Sequence, residues 1–139
     1  MSPTTAMFWP MIAHALLVFG LYMLLFIRRK KYTFSNKESF KRFRDAGEEA
    51  DQSRVVNKNL ANQFELPMLF HAACLLLYIT DADNIATIIL AWIFIAARYV
   101  HSYVHVTSNR LRYRAPAFAI SFLALILMWG WLGIWLALE

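Results

Sequence analysis

The chain has a single cysteine, Cys74, in 139 residues. One cysteine per chain excludes an internal disulfide framework and a cysteine-built metal cluster. Its place in an apolar run reads as a small buried hydrophobe. Charge is scarce as well: 17% of the residues are charged against 60% hydrophobic, with a mean hydropathy of +0.44. A soluble domain of this length is rarely so apolar. No internal repeat and no low-complexity segment stands out. Cations are missing from the stretch Thr80 to Asn84, which holds Asp81 and Asp83 instead. A cleavable leader is not expected either. The block Arg28-Arg29-Lys30-Lys31 follows the first apolar run instead of preceding it, and no small-residue cleavage site is present.

What is present is four apolar runs, at about 7–27, 60–79, 85–106 and 115–138. Each is long enough to cross a hydrocarbon layer as a helix. The expected fold is therefore an all-α integral membrane protein, a four-transmembrane-helix bundle in one domain over residues 1–139. Ten of the fourteen Lys and Arg lie between Arg28 and Lys58, in the first connection; Arg110, Arg112 and Arg114 lie in the third; the last is Arg98. The positive-inside rule puts both basic connections, including a loop over 28–58, in the cytoplasm and both termini outside. In a bacterium this would be the inner (plasma) membrane. The net charge of +5 then reflects topology and anionic lipid headgroups rather than nucleic acid. A protomer this small has little interior for Glu65 and Arg98, so oligomerisation is expected.

Within the first connection, Ser35-Asn36-Lys37-Glu38 has capping-box spacing. Phe40 and Phe43 among Lys37, Lys41, Arg42 and Arg44 read as a short helix on the membrane surface, broken by Gly47. Asp51 is a plausible N-cap for a second long helix running unbroken to Tyr78, about 28 residues or roughly 42 Å. Its first turns would project from the membrane, and Pro67 would be absorbed within it. His14 lies inside the first span and reads as a packed or hydrogen-bonded histidine. In the third span Arg98, His101 and His105 share one face, and Tyr99 and Tyr103 an adjacent one. The His-x-x-x-His pair lacks an evident third ligand, so no metal site is expected. Trp129, Trp131 and Trp135 in the fourth span read as lipid-facing or interfacial anchors.

Lys58, Asn62 and Glu65 are spaced i, i+4, i+7, which on a continuous helix puts a cation, an amide and an anion on one face. A carboxylate at the edge of a hydrocarbon layer needs a partner, and the default reading is a functional site. Alternating helix directions would bring this stripe to one level with Arg28 and Arg29, with Arg98 to His105, and with Arg110, Arg112 and Arg114. Such a basic, Tyr-lined pocket with one carboxylate suits glutathione, which offers two carboxylates, an ammonium and amides. A cation or Tyr hydroxyl near the sulfur would favour the nucleophilic thiolate. An opening to lipid would admit an apolar electrophile sideways.

Asn62-x-x-Glu65, Pro67 and Leu69-Phe70 after a basic helix start resemble the second-helix signature of the MAPEG proteins (membrane-associated proteins in eicosanoid and glutathione metabolism). Arg98-Tyr99-x-x-x-Tyr103, a short basic loop and Ala115-Pro116 resemble the end of that family's third helix. The resemblance covers nearly the whole chain. It implies a homotrimer of four-helix protomers with glutathione held between neighbours at the cytoplasmic side. Members include microsomal glutathione transferases and peroxidases and the leukotriene and prostaglandin E synthases. Carried over by position, Asn62 and Glu65 would hold the peptide part of glutathione, and Tyr99 and Tyr103 would line the pocket. Arg28 or Arg29 would sit near the thiol or a carboxylate. Where the family usually has Arg, four residues before the Asn, this chain has Lys58, a point charge without a bidentate fork; Arg54, one turn earlier, is a substitute. Arg110 has the family spacing for the thiol-activating Arg, but a longer loop leaves Arg112 and Arg114 in competition with it.

The resemblance thus implies a glutathione-dependent transferase or peroxidase acting on a lipophilic electrophile. The alternatives are a non-catalytic scaffold or sensor that kept the fold, and a small transporter subunit with Glu65, Arg98 and the histidines as a proton relay. The relay fits least, because the charges gather at one end.

Overall fold

The computed structural model describes residues 5–139, and among these there is no strand. Six α-helices follow in order: α1 (Phe8–Arg28), α2 (Lys37–Ala46), α3 (Asp51–Asn62), α4 (Leu66–Ile79), α5 (Ile85–Val106) and α6 (Leu111–Leu138). A 3₁₀ turn, Thr5–Met7, leads into α1, and a π-helical turn, Arg29–Thr33, prolongs it. Four helical stretches are long and apolar enough to cross a membrane: α1 with its extensions, the α2–α4 stretch, α5 and α6. The chain is a multi-pass integral membrane protein. One end of the bundle carries the basic residues and is called the basic end below.

The second span is not continuous. The expected unbroken helix from Asp51 to Tyr78 ends at Asn62, and α4 starts afresh at Leu66. Two features of the sequence explain this. Pro67 sits in the first turn of α4, where its missing N–H costs nothing; inside a continuous helix it would lose a bond and press on the carbonyl of Gln63. In addition, the backbone N–H of Gln63 turns to Leu60 O at 3.1 Å instead of Asn59 O. The Asn59 carbonyl is then capped by the Gln63 side chain, at 3.2 Å.

Other boundaries also differ from expectation. Asn36, not Ser35, caps α2, accepting from Ser39 N at 2.8 Å, while Ser35 bonds back to Tyr32 O. The cap of α3 is Ala50, and Asp51 pairs with Arg54 inside the first turn. α6 begins at Leu111 instead of Ala115, so the third connection is only 107–110 and Arg112 and Arg114 are helical. Asn109 turns the chain there with φ 52°, a left-handed conformation that Asn tolerates better than most residues.

The interior has two apolar parts with a polar layer between them. Toward the far end, Phe70 and Phe94 stack at 4.4 Å amid Cys74, Leu77, Leu125 and Met128. Toward the basic end, Leu21 and Leu25 of α1 meet Val56 and Leu60 of α3. Between them are buried His14, Asn59, Gln63, Arg98, His101, Ser102 and His105. The tryptophans of α6 are not free anchors. Trp131 donates to Ala82 O at 2.8 Å, Trp135 to Thr80 O at 3.0 Å and Trp129 to Leu69 O at 3.1 Å. A half-buried indole N–H needs an acceptor, and the carbonyls of the 80–84 turn need donors.

Candidate functional site

The break between α3 and α4 sets the depth of the site. Leu60 packs near Leu21, and the Gln63 side chain bonds His14. The break is thus level with α1 between His14 and Leu21, roughly 10–20 Å along the helix from Arg28. Arg98 is likewise eight residues before the end of α5, roughly 12 Å inward. The polar groups therefore do not gather at one level. Arg28 and Arg29 mark the basic end, while Glu65 and Arg98 lie deeper, opposite the middle of the apolar run of α1.

At the basic end the arginines are engaged within the chain. Arg28 donates to Gln52 O at 3.0 Å and Val106 O at 2.9 Å, tying α1 to α3 and α5. Arg29 pairs with Glu49 at 2.6 Å and lies over the Phe43 ring. Arg54 pairs with Asp51. Arg28 and Arg29 hold the helix ends together, Arg54 is paired within its own turn, and none of the three is brought to the break.

At the break, Lys58 and Glu65 are exposed and Asn62 is half-buried. Glu65 lies outside α3, so it does not continue the Lys58–Asn62 face as the helical spacing predicts. No ion pair forms between it and Arg98 among the described residues. Arg98 is 1% exposed, and its Nε and Nη2 find no acceptor. Tyr99 donates to Ala13 O at 2.6 Å and so clamps α5 to α1. Tyr103 is 70% exposed and faces away from the protomer.

An open cleft of about 320 Å³ lies beside Asn62, bounded by His101 and His105 of α5 and by Leu111, Arg114, Ala115 and Phe118 of α6. Of the three candidate cations, only Arg114 lines it. Asn109 accepts from Arg114 Nη1 at 2.6 Å and steers the guanidinium. Arg110 caps α6 from outside, and Arg112 lies over the ring of its neighbour Tyr113. His101 is 5% exposed with an unpartnered Nδ1. The cleft combines two imidazoles of α5 and the Asn62 amide with a cation, Arg114, and the apolar Leu111 and Phe118 of α6. That mixture suits an anionic polar ligand next to an apolar one. Among the described residues no group of His, Cys, Asp and Glu is arranged to hold a metal ion.

Sequence reasoning passed over Asn59, Gln63 and Ser102. Gln63 Nε2 lies 3.2 Å from Asn59 Oδ1 and from Ser102 Oγ, Asn59 Nδ2 lies 2.9 Å from His105 Nδ1, and His14 Nδ1 lies 2.8 Å from His71 Nε2. The signal was the run of amides Asn59, Asn62 and Gln63 entering an apolar stretch. Polar groups so placed must pair with one another.

No curated protein and no solved structure matches the chain. A family model described as MAPEG family matches residues 7–134, nearly the full length. With its four membrane-crossing helices and this match, the chain belongs to the MAPEG family, which includes glutathione transferases and peroxidases.

Proposed function

We propose that this protein is a glutathione-dependent transferase or peroxidase for lipophilic electrophiles, with the cleft beside Asn62 as the thiol end of its site. The observation that carries this reading is Arg114 held by Asn109 in a cleft shared with Asn62, His101 and His105. Arg114 is then the cation that favours the thiolate, in preference to Arg110 and Arg112. Asn62, Lys58 and Glu65 bind the amides, a carboxylate and the ammonium of the peptide. The thiolate attacks the electrophile, and Phe118 and Leu111 offer an apolar wall toward lipid. Tyr103 and Arg54, exposed on one protomer, complete the site from a neighbour in a homotrimer. The basic end faces the cytoplasm by the positive-inside rule.

A second reading has its own support: with Arg28, Arg29 and Arg54 all engaged in structural contacts, the protein is a scaffold or sensor that kept the fold without the chemistry.

The test is a glutathione titration of the detergent-solubilised protein, followed by ultraviolet thiolate absorbance. A saturable thiolate signal is expected. Arg114→Ala should cut it at least tenfold with binding retained, and Glu65→Gln should weaken binding itself. Arg110→Ala and Arg112→Ala should leave it within about twofold. Binding without any thiolate favours the scaffold reading, and no binding overturns the glutathione assignment.

A further inference from the structure

All four histidines of the chain belong to one connected region: His14, His71, His101 and His105. Three hydrogen bonds link His14 to His105 through Gln63 and Asn59, and their direction can be worked out from a single fixed point. The backbone carbonyl of Asn59 accepts hydrogen bonds and never donates. The Gln63 side-chain atom 3.2 Å from it must therefore be the amide nitrogen. Gln63 Oε1 then faces His14 Nε2 at 3.0 Å, so that imidazole nitrogen carries a proton. On the other side the two protons of the Gln63 amide nitrogen are shared among three acceptors at 3.2 Å, Asn59 O, Asn59 Oδ1 and Ser102 Oγ. A flipped Asn59 would set its own Nδ2 against that nitrogen, so the Asn59 atom on this side is the oxygen. With its oxygen used there, Asn59 turns its Nδ2 to His105 Nδ1 at 2.9 Å, as a donor. His105 Nδ1 is consequently bare, and the proton of this ring resides on Nε2. Reversing any one link sets donor against donor or acceptor against acceptor within a buried layer, where an unsatisfied polar group is costly.

His105 Nε2 makes no hydrogen bond to the described residues and is not sealed from the surface, while the ring lines the cleft. We infer that His14, Gln63 and Asn59 form a positioning chain that fixes His105 as an Nε2–H donor directed into the cleft, where it and Arg114 together hold the anionic group of the ligand. The anion is the glutathione thiolate, so this assignment of the ligand rests on the reading proposed above; the tautomer of His105 does not. No proton moves in this arrangement. The chain selects which ring nitrogen carries the proton, as buried partners of functional histidines do. The break between α3 and α4 makes it possible, because there the Asn59 carbonyl loses its backbone donor and becomes the anchor for Gln63.

The test is nitrogen NMR of protein labelled at its histidine side chains and held in detergent without ligand. His105→Gln, which deletes one of four signals, assigns the resonance. The expected result is a single His105 tautomer with Nε2 protonated and Nδ1 bare. Asn59→Asp replaces the donor with an acceptor and should invert that tautomer. In the same variant the thiolate absorbance at saturating glutathione should fall about tenfold, with the dissociation constant changed less than about threefold. A wild-type His105 protonated at Nδ1, or averaging between tautomers, overturns the inference whatever glutathione does. If Asn59→Asp does not fold, the wild-type spectrum decides the matter alone. If the tautomer is as stated and no glutathione binds, the positioning chain stands and the proposed function fails.

Discussion

Asn109 does two jobs that substitution can separate. Its backbone is left-handed, φ 52°, and its side chain holds Arg114 at 2.6 Å. Glycine keeps the first property and loses the second; alanine loses both. Asn109→Gly should unfold within about 0.5 kcal/mol of wild type, and Asn109→Ala about 1–2 kcal/mol earlier. Both should lose most of the thiolate signal, since Arg114 is released in each. Thermal unfolding in detergent and thiolate absorbance measure the two effects; equal stability of the two variants would show that the turn is not strained by a Cβ. The same residue marks how far the site was legible. Spacing favoured Arg110, with Arg112 and Arg114 in competition, but could not decide among them, because the choice depends on where α6 begins. The structure begins it at Leu111, which turns Arg114 toward Asn62. Asn62, His101 and His105 were visible as polar residues on apolar faces. Asn59 and Gln63 were not singled out: the run of amides could be seen, but its burial follows only from the depth of the break.

At the scale of elements, the four spans could be read because a run of apolar residues of sufficient length has few alternatives in a membrane. The break in the second span could not. Pro67 alone is compatible with a kinked helix, and the sequence offers no glycine near it. The break needs both the proline and the buried partners of Gln63. This dependence is testable. Pro67→Ala by itself should leave Glu65 outside a helix, because Gln63 still bonds Asn59, Ser102 and His14. Pro67→Ala combined with Gln63→Leu should fuse α3 with α4 and bring the amides of Glu65 to Met68 under helical protection. Hydrogen exchange at those amides distinguishes the cases. Protection in the single variant would make proline the sole cause. The double variant should also be less stable by about 2–4 kcal/mol, since His14 and Asn59 each lose a buried partner.

The whole molecule poses a question of covering. Glu65 is exposed on the protomer, yet it lies opposite the middle of the apolar run of α1. Facing lipid at that depth, an ionised carboxylate costs about 2.5–3.5 kcal/mol. Arg98 is buried and does not pair with it among the described residues. Tyr103, 70% exposed, makes no side-chain hydrogen bond among the described residues either. In the homotrimer proposed above, a neighbouring protomer would cover both and remove them from lipid, and three copies around an axis would close such heterologous contacts into a ring. Native mass spectrometry of the protein released from detergent should therefore give a trimer. Glu65→Leu discriminates further. If Glu65 sits between protomers, the substitution removes a carboxylate from that polar interface and shifts the population toward monomer at high detergent. If the protein is a monomer with Glu65 in lipid, the wild type runs as a monomer and Glu65→Leu is more stable than it, because the cost of the exposed charge has been removed.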